Sequence, residues 1–470
     1  MFDRNSHYWS ADTTVRSGRE RVMLAGAGQA VFNIGFVGGV IALAVALGYA
    51  VFSGEGFSRF YHAYLTNFAF FLSVVLGGLF FVIVHHLTRA GWSASLRRPA
   101  ENLAACMPVM AAAFAPVAIS VLAGDGKLYP WATRDAHAAS AEHGHQAGHT
   151  AAHGEEHPTA EPHAQHADDH AADSANVPTG GIDPHTEAYY IAKKRAYLNT
   201  PFFMLRWVGY FLAWSLIGWW YWRTSRTQDV TADDHLTRRM QQFSPVAAVI
   251  FVMTVTFAAF DLLMSLSPAW YSTIFGIYFL AGIMLAGIAT LILVLLALQR
   301  AGVLTASVTI EHYHDLGKYL FAFVFFWGYI AFSQYLLIWY ANLPETTFWF
   351  AIRGASTSQV LTNDWSYVAL ALLFGKFLIP FAGLMSRHVK RSRSGLAFWA
   401  IWILVFHWVD LWWLVLPQMG VEVRWGLPEA AIFLGLGGMV VAFWVRIANR
   451  LPLLALGDPR LDEALAFENI

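Results

Sequence analysis

The chain has 470 residues, of which 57% are hydrophobic and 13% charged, against about 25% charged in an ordinary soluble domain; its mean hydropathy is +0.45. This composition excludes a water-soluble globular protein, and a formal net charge of −1 gives no electrostatic basis for a nucleic-acid partner. The single cysteine, Cys106, excludes an intrachain disulfide, a four-thiolate cluster and a C-x-x-C-H haem site, so no covalently bound cofactor is expected and any redox centre must be haem b, a quinone, or the property of a partner.

Residues 1–22 form a polar N-terminal segment with Arg16, Arg19 and Arg21 ahead of the first apolar run. No short apolar segment with a small-residue cleavage site follows, so that run is read as a retained span. Crossing a bilayer takes about 20 predominantly apolar residues. Runs of that kind fall near 24–52, 65–88 and 103–123, within 23–123, and near 203–222, 244–265, 272–298, 317–341, 365–386, 396–417 and 428–446, within 201–447. Alternation at a period of two is absent from these runs, and they are too long for barrel strands. Backbone groups in hydrocarbon must bond within their own segment, so each run is expected to be a helix and the fold all-α, with about ten transmembrane helices.

The third connection, about 124–200, is rich in Ala, His, Asp and Glu and holds ten histidines between His137 and His185. It is too polar to bury a core and reads as a disordered loop. His143, His145, His149 and His153 make it a candidate for metal binding, against the plainer reading of a solvated low-complexity insert. No catalytic role is assigned to it. Lys and Arg crowd the N-terminus, the even-numbered connections and the tail at 448–470, while the short connections opposite carry only Arg59, Arg353 and Arg424. The positive-inside rule then places both termini in the cytoplasm and the His-rich loop outside it. A weak echo, Tyr61-His62 opening the second span and Tyr313-His314 the seventh, would suit an inverted repeat.

Ionisable groups at membrane depth cost about 2.5–3.5 kcal/mol each on insertion scales and so mark candidate sites. With about 1.5 Å of rise per residue, Lys376 and His407 fall near mid-membrane and Asp410 one turn beyond His407 on the same face. His312, His314, Asp315 and Lys318 sit at the cytoplasmic start of the seventh span, with His85 and His86 at the same depth. Asp261 and Gln334 lie toward the outer side. Together they describe a ladder that would carry protons if the helices cluster. The plainer reading makes 311–315 an interfacial cap, lets Lys376 snorkel to the surface and has Asp261 cap a neighbouring helix. Trp327, Gln334 and Tyr335 could line a quinone slot, against ordinary helix packing. His85, His86 and His407 are also the residues that a haem b site would need.

Several strings resemble a known family. Residues 311–344, EHYHDLGKYLFAFVFFWGYIAFSQYLLIWYANLP, are similar to the signature of a membrane subunit of alternative complex III, the quinol:electron-acceptor oxidoreductase of many bacteria. So are FAAFDLLMSLSPAWYSTIFG at 257–276, KRAYLNTPFFMLRWVGYFLAW at 194–214 and FYHAYLTNFAFFLSVVLGGLFF at 60–81. The nearest likeness is to the second large membrane subunit, of the NrfD-like, polysulfide-reductase type. That resemblance implies two four-helix bundles with two extra helices in a bacterial inner membrane. The implied partners are a sister NrfD-like subunit, an iron–sulfur subunit, multihaem and monohaem cytochrome c subunits, and lipids. Iron–sulfur clusters and c-type haems would belong to those partners, and the principal quinol site to the sister subunit. Within the matching strings, the family's candidate residues fall on Asp261, His312, His314, Asp315, Lys318 and Gln334. The competing expectations are a secondary transporter for protons or a divalent metal, and a b-type cytochrome.

Overall fold

The computed structural model describes residues 12–15, 18–24, 27–53, 56–133, 184–355, 363–420, 422–423 and 425–469. The candidate metal-binding histidines His143, His145, His149 and His153, and Arg424, lie outside the described residues. Among the described residues ten helices are long and apolar enough to cross a membrane: Gly28–Phe52, Phe57–Leu87, Gly91–Ala123, Thr200–Thr231, Asp234–Leu266, Phe275–Arg300, Ile310–Ala341, Trp365–Met385, Arg393–Met419 and Leu427–Ala448, hereafter spans 1 to 10. The chain is an all-α integral membrane protein, with one small antiparallel hairpin, Asp12–Val15 with Gly18–Arg21, among the described residues.

The helix ends are chemically marked. Asn199 accepts a hydrogen bond from the Phe202 N–H at the start of span 4, Asp233 from the His235 N–H at span 5, and Ser392 from the Gly395 N–H at span 9. These are the side chains that satisfy N-terminal donors. Ala232 and Asn342 end spans 4 and 7 in the left-handed conformation, which closes off the last turn.

Spans 2 to 5 form one four-helix bundle and spans 6 to 9 a second, while spans 1 and 10 pair with each other and dock through span 10 onto span 2. Spans 2 and 6 are the most enclosed and run through the centre. They touch at glycines, since a Cβ on Gly77 would stand 2.3 Å from Gly287 Cα. Small residues are what allow two backbones to approach so closely in lipid, where no hydrophobic drive separates helix from hydrocarbon. Spans 1 and 10 use the same device, with Gly35 against the Gly438 carbonyl and Gly39 against that of Gly435.

Hydrogen bonds between helix ends sort them into two faces. On the face carrying both termini, the Leu304 N–H donates to the Arg21 carbonyl (3.1 Å) and the Leu453 N–H to that of Val22 (2.7 Å); Arg97 pairs with Asp458 and Arg391 with Glu311. On the opposite face, the Tyr129 hydroxyl donates to the Leu262 carbonyl (2.9 Å), Lys194 to that of Pro268 (2.6 Å) and Trp365 Nε1 to that of Gly420 (3.1 Å). Strict alternation of ten spans accounts for this partition.

Three expectations need correction. Span 3 starts at Gly91, not near 103, so Arg97, Arg98 and Glu101 are buried inside a helix, Ala94–Ala104. They are tolerated because Arg98 pairs with Asp229 (2.6 Å) and Glu101 (3.6 Å) and Arg97 with Asp458; a hydropathy reading cannot see such compensation. The loop expected over 124–200 is structured at both ends, where Leu128, Tyr129 and Trp131 are buried and Pro184–Lys193 is a helix. Burial there, with Lys193 adjacent, lowers the Lys194 ammonium below the usual lysine range. Finally, the two bundles begin with spans 2 and 6, which run in the same direction, so the echo between spans 2 and 7 does not correspond to the architecture.

Candidate functional site

The site is built at mid-membrane on span 8. Pro380 has no N–H to give its helix, and the helix ahead of it widens to a π-turn over Leu373–Leu378. The Gly375 carbonyl in that turn accepts from Trp402 Nε1 of span 9 at 2.6 Å, which ties spans 8 and 9 together. Such bulges occur frequently at functional positions, and here the π-turn carries Lys376.

Lys376 is fully buried. Its Nζ lies 2.6 Å from Asp410 Oδ2 and 3.2 Å from His407 Nδ1, both on span 9, and 4.4 Å from the centre of the Trp327 ring of span 7. The Tyr278 hydroxyl of span 6 donates to Asp410 Oδ1. His407 Nε2 is 2.8 Å from Ser73 Oγ of span 2, and that hydroxyl donates to the Phe70 carbonyl at 2.6 Å. Gly282 of span 6 leaves the room that the imidazole fills, since a Cβ there would come within 2.7 Å of Cε1.

Donor logic orients this network. An ammonium has only donors, so Lys376 donates to Asp410 and to His407 Nδ1. His407 then carries its hydrogen on Nε2 and donates to Ser73, which donates onward to Phe70. Five helices contribute, counting span 7 through Trp327, and a hydrogen-bonded chain runs Tyr278–Asp410–Lys376–His407–Ser73 across the junction of the two bundles. On the side of the opposite face, Arg353 lies beside it. Its guanidinium is buried, 3.7 Å from the Trp349 ring centre, and donates to the carbonyls of Trp349 (3.0 Å) and Leu414 (2.7 Å). Among the described residues no carboxylate pairs with Arg353.

The ladder read from depth is thus divided. Lys376, His407 and Asp410 come together, and Lys376 is held by them instead of snorkelling. Asp261 sits in the first bundle, where Arg206 of span 4 grips both its oxygens at 2.8 Å and the Tyr210 hydroxyl donates to it at 2.9 Å; it bridges helices and does not cap one. His312 receives the Thr309 N–H on Nδ1 (3.2 Å) and caps span 7. Asp315 pairs with Lys318, whose Nζ also donates to Asn469 (3.0 Å) in the tail, while His314 Nδ1 is buried with no hydrogen-bond partner among the described residues. Among the described residues no hydrogen bond or ion pair joins these groups to the mid-membrane cluster.

The quinone candidates are separated as well. Trp327 packs on Tyr278 and Lys376, Gln334 accepts from the Ser272 hydroxyl at 3.1 Å, and Tyr335 packs on Phe350. With Trp327 and Gln334 two turns apart, about 10 Å along the helix, these residues do not frame one quinone ring. Nor are the haem candidates arranged as a pair. Both ring nitrogens of His407 are already bonded, His85 Nδ1 donates to the Phe81 carbonyl (2.8 Å), and His86 stacks on Tyr221 beside Arg97.

Sequence reading missed Tyr278, Ser73 and Arg353 as parts of the site. A Tyr or Ser within an apolar run carries no mark of its own. Arg353, a lone charge in an opposite-face connection among aromatics, was the one legible signal.

Fold and site define the class: an all-α membrane protein of ten spans, two four-helix bundles joined around a buried Lys–Asp–His cluster, with a peripheral helix pair. No model of a known protein family matches the chain, and no curated protein is significantly similar to it.

Proposed function

We propose that this chain is a membrane subunit of a quinol:cytochrome c, or other acceptor, oxidoreductase of the bacterial cytoplasmic membrane, with both termini cytoplasmic, and that it moves protons and carries no redox centre of its own. The family resemblance of its four strings supports the assembly, and the Lys376–Asp410 pair supports the proton role. A buried ion pair is a poor stabiliser: replacing it with well-packed apolar groups is often neutral or favourable. Its presence at mid-membrane in a five-helix network therefore argues for use in proton handling.

The chemistry follows from the geometry. Among the described residues Asp410 is the only acceptor shared by Lys376 and Tyr278, so a proton arriving at Asp410 removes the charge that holds the ammonium. Lys376 then turns its donors fully on His407, whose Nε2 hydrogen points at Ser73. Lys376 passes one proton to His407 Nδ1 across that hydrogen bond and regains one from protonated Asp410; the Ser73 hydroxyl is committed to the Phe70 carbonyl, so the proton rests on the imidazolium. The charge-neutral starting state limits the desolvation cost. Quinol oxidation would take place in the sister subunit, with clusters and haems in the other partners.

The test is to isolate the chain from its native membrane in mild detergent. Co-purification with a c-type cytochrome spectrum and an iron–sulfur subunit is the expected result. A chain that purifies alone and moves protons or zinc in liposomes would replace this reading with a secondary transporter, and a haem α-band on the isolated chain would make it a b-type cytochrome.

A further inference from the structure

A second site lies at the membrane surface on the face that carries the termini. The end of span 6 and the start of span 9 enclose a polar cavity of about 630 Å³ lined by Gln299, Arg300, Arg391, Arg393 and Ser394. Arg391 pairs with Glu311, and Gln299 is committed to the carbonyls of Leu304 and Val308. Among the described residues no carboxylate pairs with Arg300 or Arg393. Three guanidinium groups thus meet one carboxylate, an excess of positive charge at headgroup depth.

The same two spans, with span 2, line an apolar cleft of about 930 Å³ that runs into the membrane from the level of Ala301 and is closed on its far side by spans 1 and 10. On span 9, Ile401, Leu404 and Val405 line it; Ile401 is seven residues past Ser394 and so on the same helix face, two turns deeper. Ile401 and Val405 are exposed in the isolated chain. Leu298, near the end of span 6, and Ala301, just past it, line the cleft and flank Arg300 in the sequence.

We infer that this paired arrangement is a binding site for one anionic phospholipid, its phosphate held by Arg300 and Arg393 and an acyl chain laid along the cleft between spans 6 and 9. Basic pockets between helices recognise lipid phosphates in this way, since guanidinium matches phosphate geometry and the hydrocarbon below supplies the rest of the affinity. An excess of arginine over carboxylate selects against zwitterionic lipid, whose ammonium would meet like charge. The lipid would fill the gap between the second bundle and the peripheral helix pair.

The test uses the full chain in its native assembly, exchanged through detergent and reconstituted into nanodiscs of phosphatidylcholine doped with phosphatidylglycerol or cardiolipin, with bound lipid quantified by mass spectrometry. The expected result is at least about tenfold enrichment of anionic over zwitterionic lipid on the wild type. Arg300→Gln with Arg393→Gln should abolish it, and Val405→Trp, which fills the cleft and keeps the arginines, should weaken it. Arg238→Gln with Arg450→Gln removes the same charge elsewhere on this face and should leave it intact; thermal melting of each variant confirms folding. Equal retention of both lipid classes, or enrichment that survives the Arg300/Arg393 change, would overturn the site. So would full displacement of the lipid by millimolar inorganic phosphate, which would reduce it to a surface anion site without a role for the chain.

Discussion

At the scale of the residue, the decisive fact is that three ionisable side chains from two helices share one buried junction. Lys376, His407 and Asp410 could be found from depth alone, because a charge within 20 apolar residues is conspicuous. Their partners could not: Tyr278 lies 132 residues from Asp410 and Ser73 lies 334 residues from His407, and nothing in an apolar run announces which helix will face it. The Arg206–Asp261 pair was illegible for the same reason, although both residues stand within matching strings. If the cluster is coupled as described, Lys376→Met and Asp410→Asn will each destabilise the detergent-solubilised protein by about 3–5 kcal/mol, because each leaves a buried group without its partner. The double variant will be less destabilised than the sum, with a coupling energy above about 1 kcal/mol. Thermal melts in one detergent measure the cycle, and strict additivity would show that the two side chains do not share a site.

At the scale of the element, helices were readable where they were long and apolar and misread where charge was compensated. Span 3 was clipped at its start since Arg97, Arg98 and Glu101 read as a connection; only the arrival of Asp229 from span 4 and Asp458 from the tail makes that turn buriable. The π-turn in span 8 has a sequence cause, Pro380, but its consequence for Lys376 needed the geometry. Helix contacts depend on where glycine falls. Gly77→Ala places a methyl against the Gly287 backbone and is expected to lower stability by about 1–3 kcal/mol, the usual range for overpacking. Gly48→Ala, in span 1 with open space around it, should be neutral or gain up to about 1 kcal/mol from helix propensity. Melting temperatures of the two variants separate these cases, and equal effects would mean that spans 2 and 6 do not cross at Gly77.

At the scale of the molecule, composition alone identified the lipid environment, and the count of spans held because opposite-face and terminal-face contacts alternate without exception along the described chain. The two-bundle architecture followed from resemblance, not from periodicity, since hydropathy carries no information on which helices are neighbours. The proposed function rests on what the junction between bundles contains: a buried Lys–Asp–His cluster where packing alone would have placed Leu or Phe. The most direct test is proton stoichiometry in the native assembly reconstituted into liposomes, with quinol as donor, comparing wild type with Asp410→Asn and Lys376→Met in preparations of equal subunit content. The account predicts that electron transfer from quinol persists while protons moved per electron fall by at least half in both variants. Unchanged stoichiometry and turnover in both would contradict it and leave the cluster a structural group.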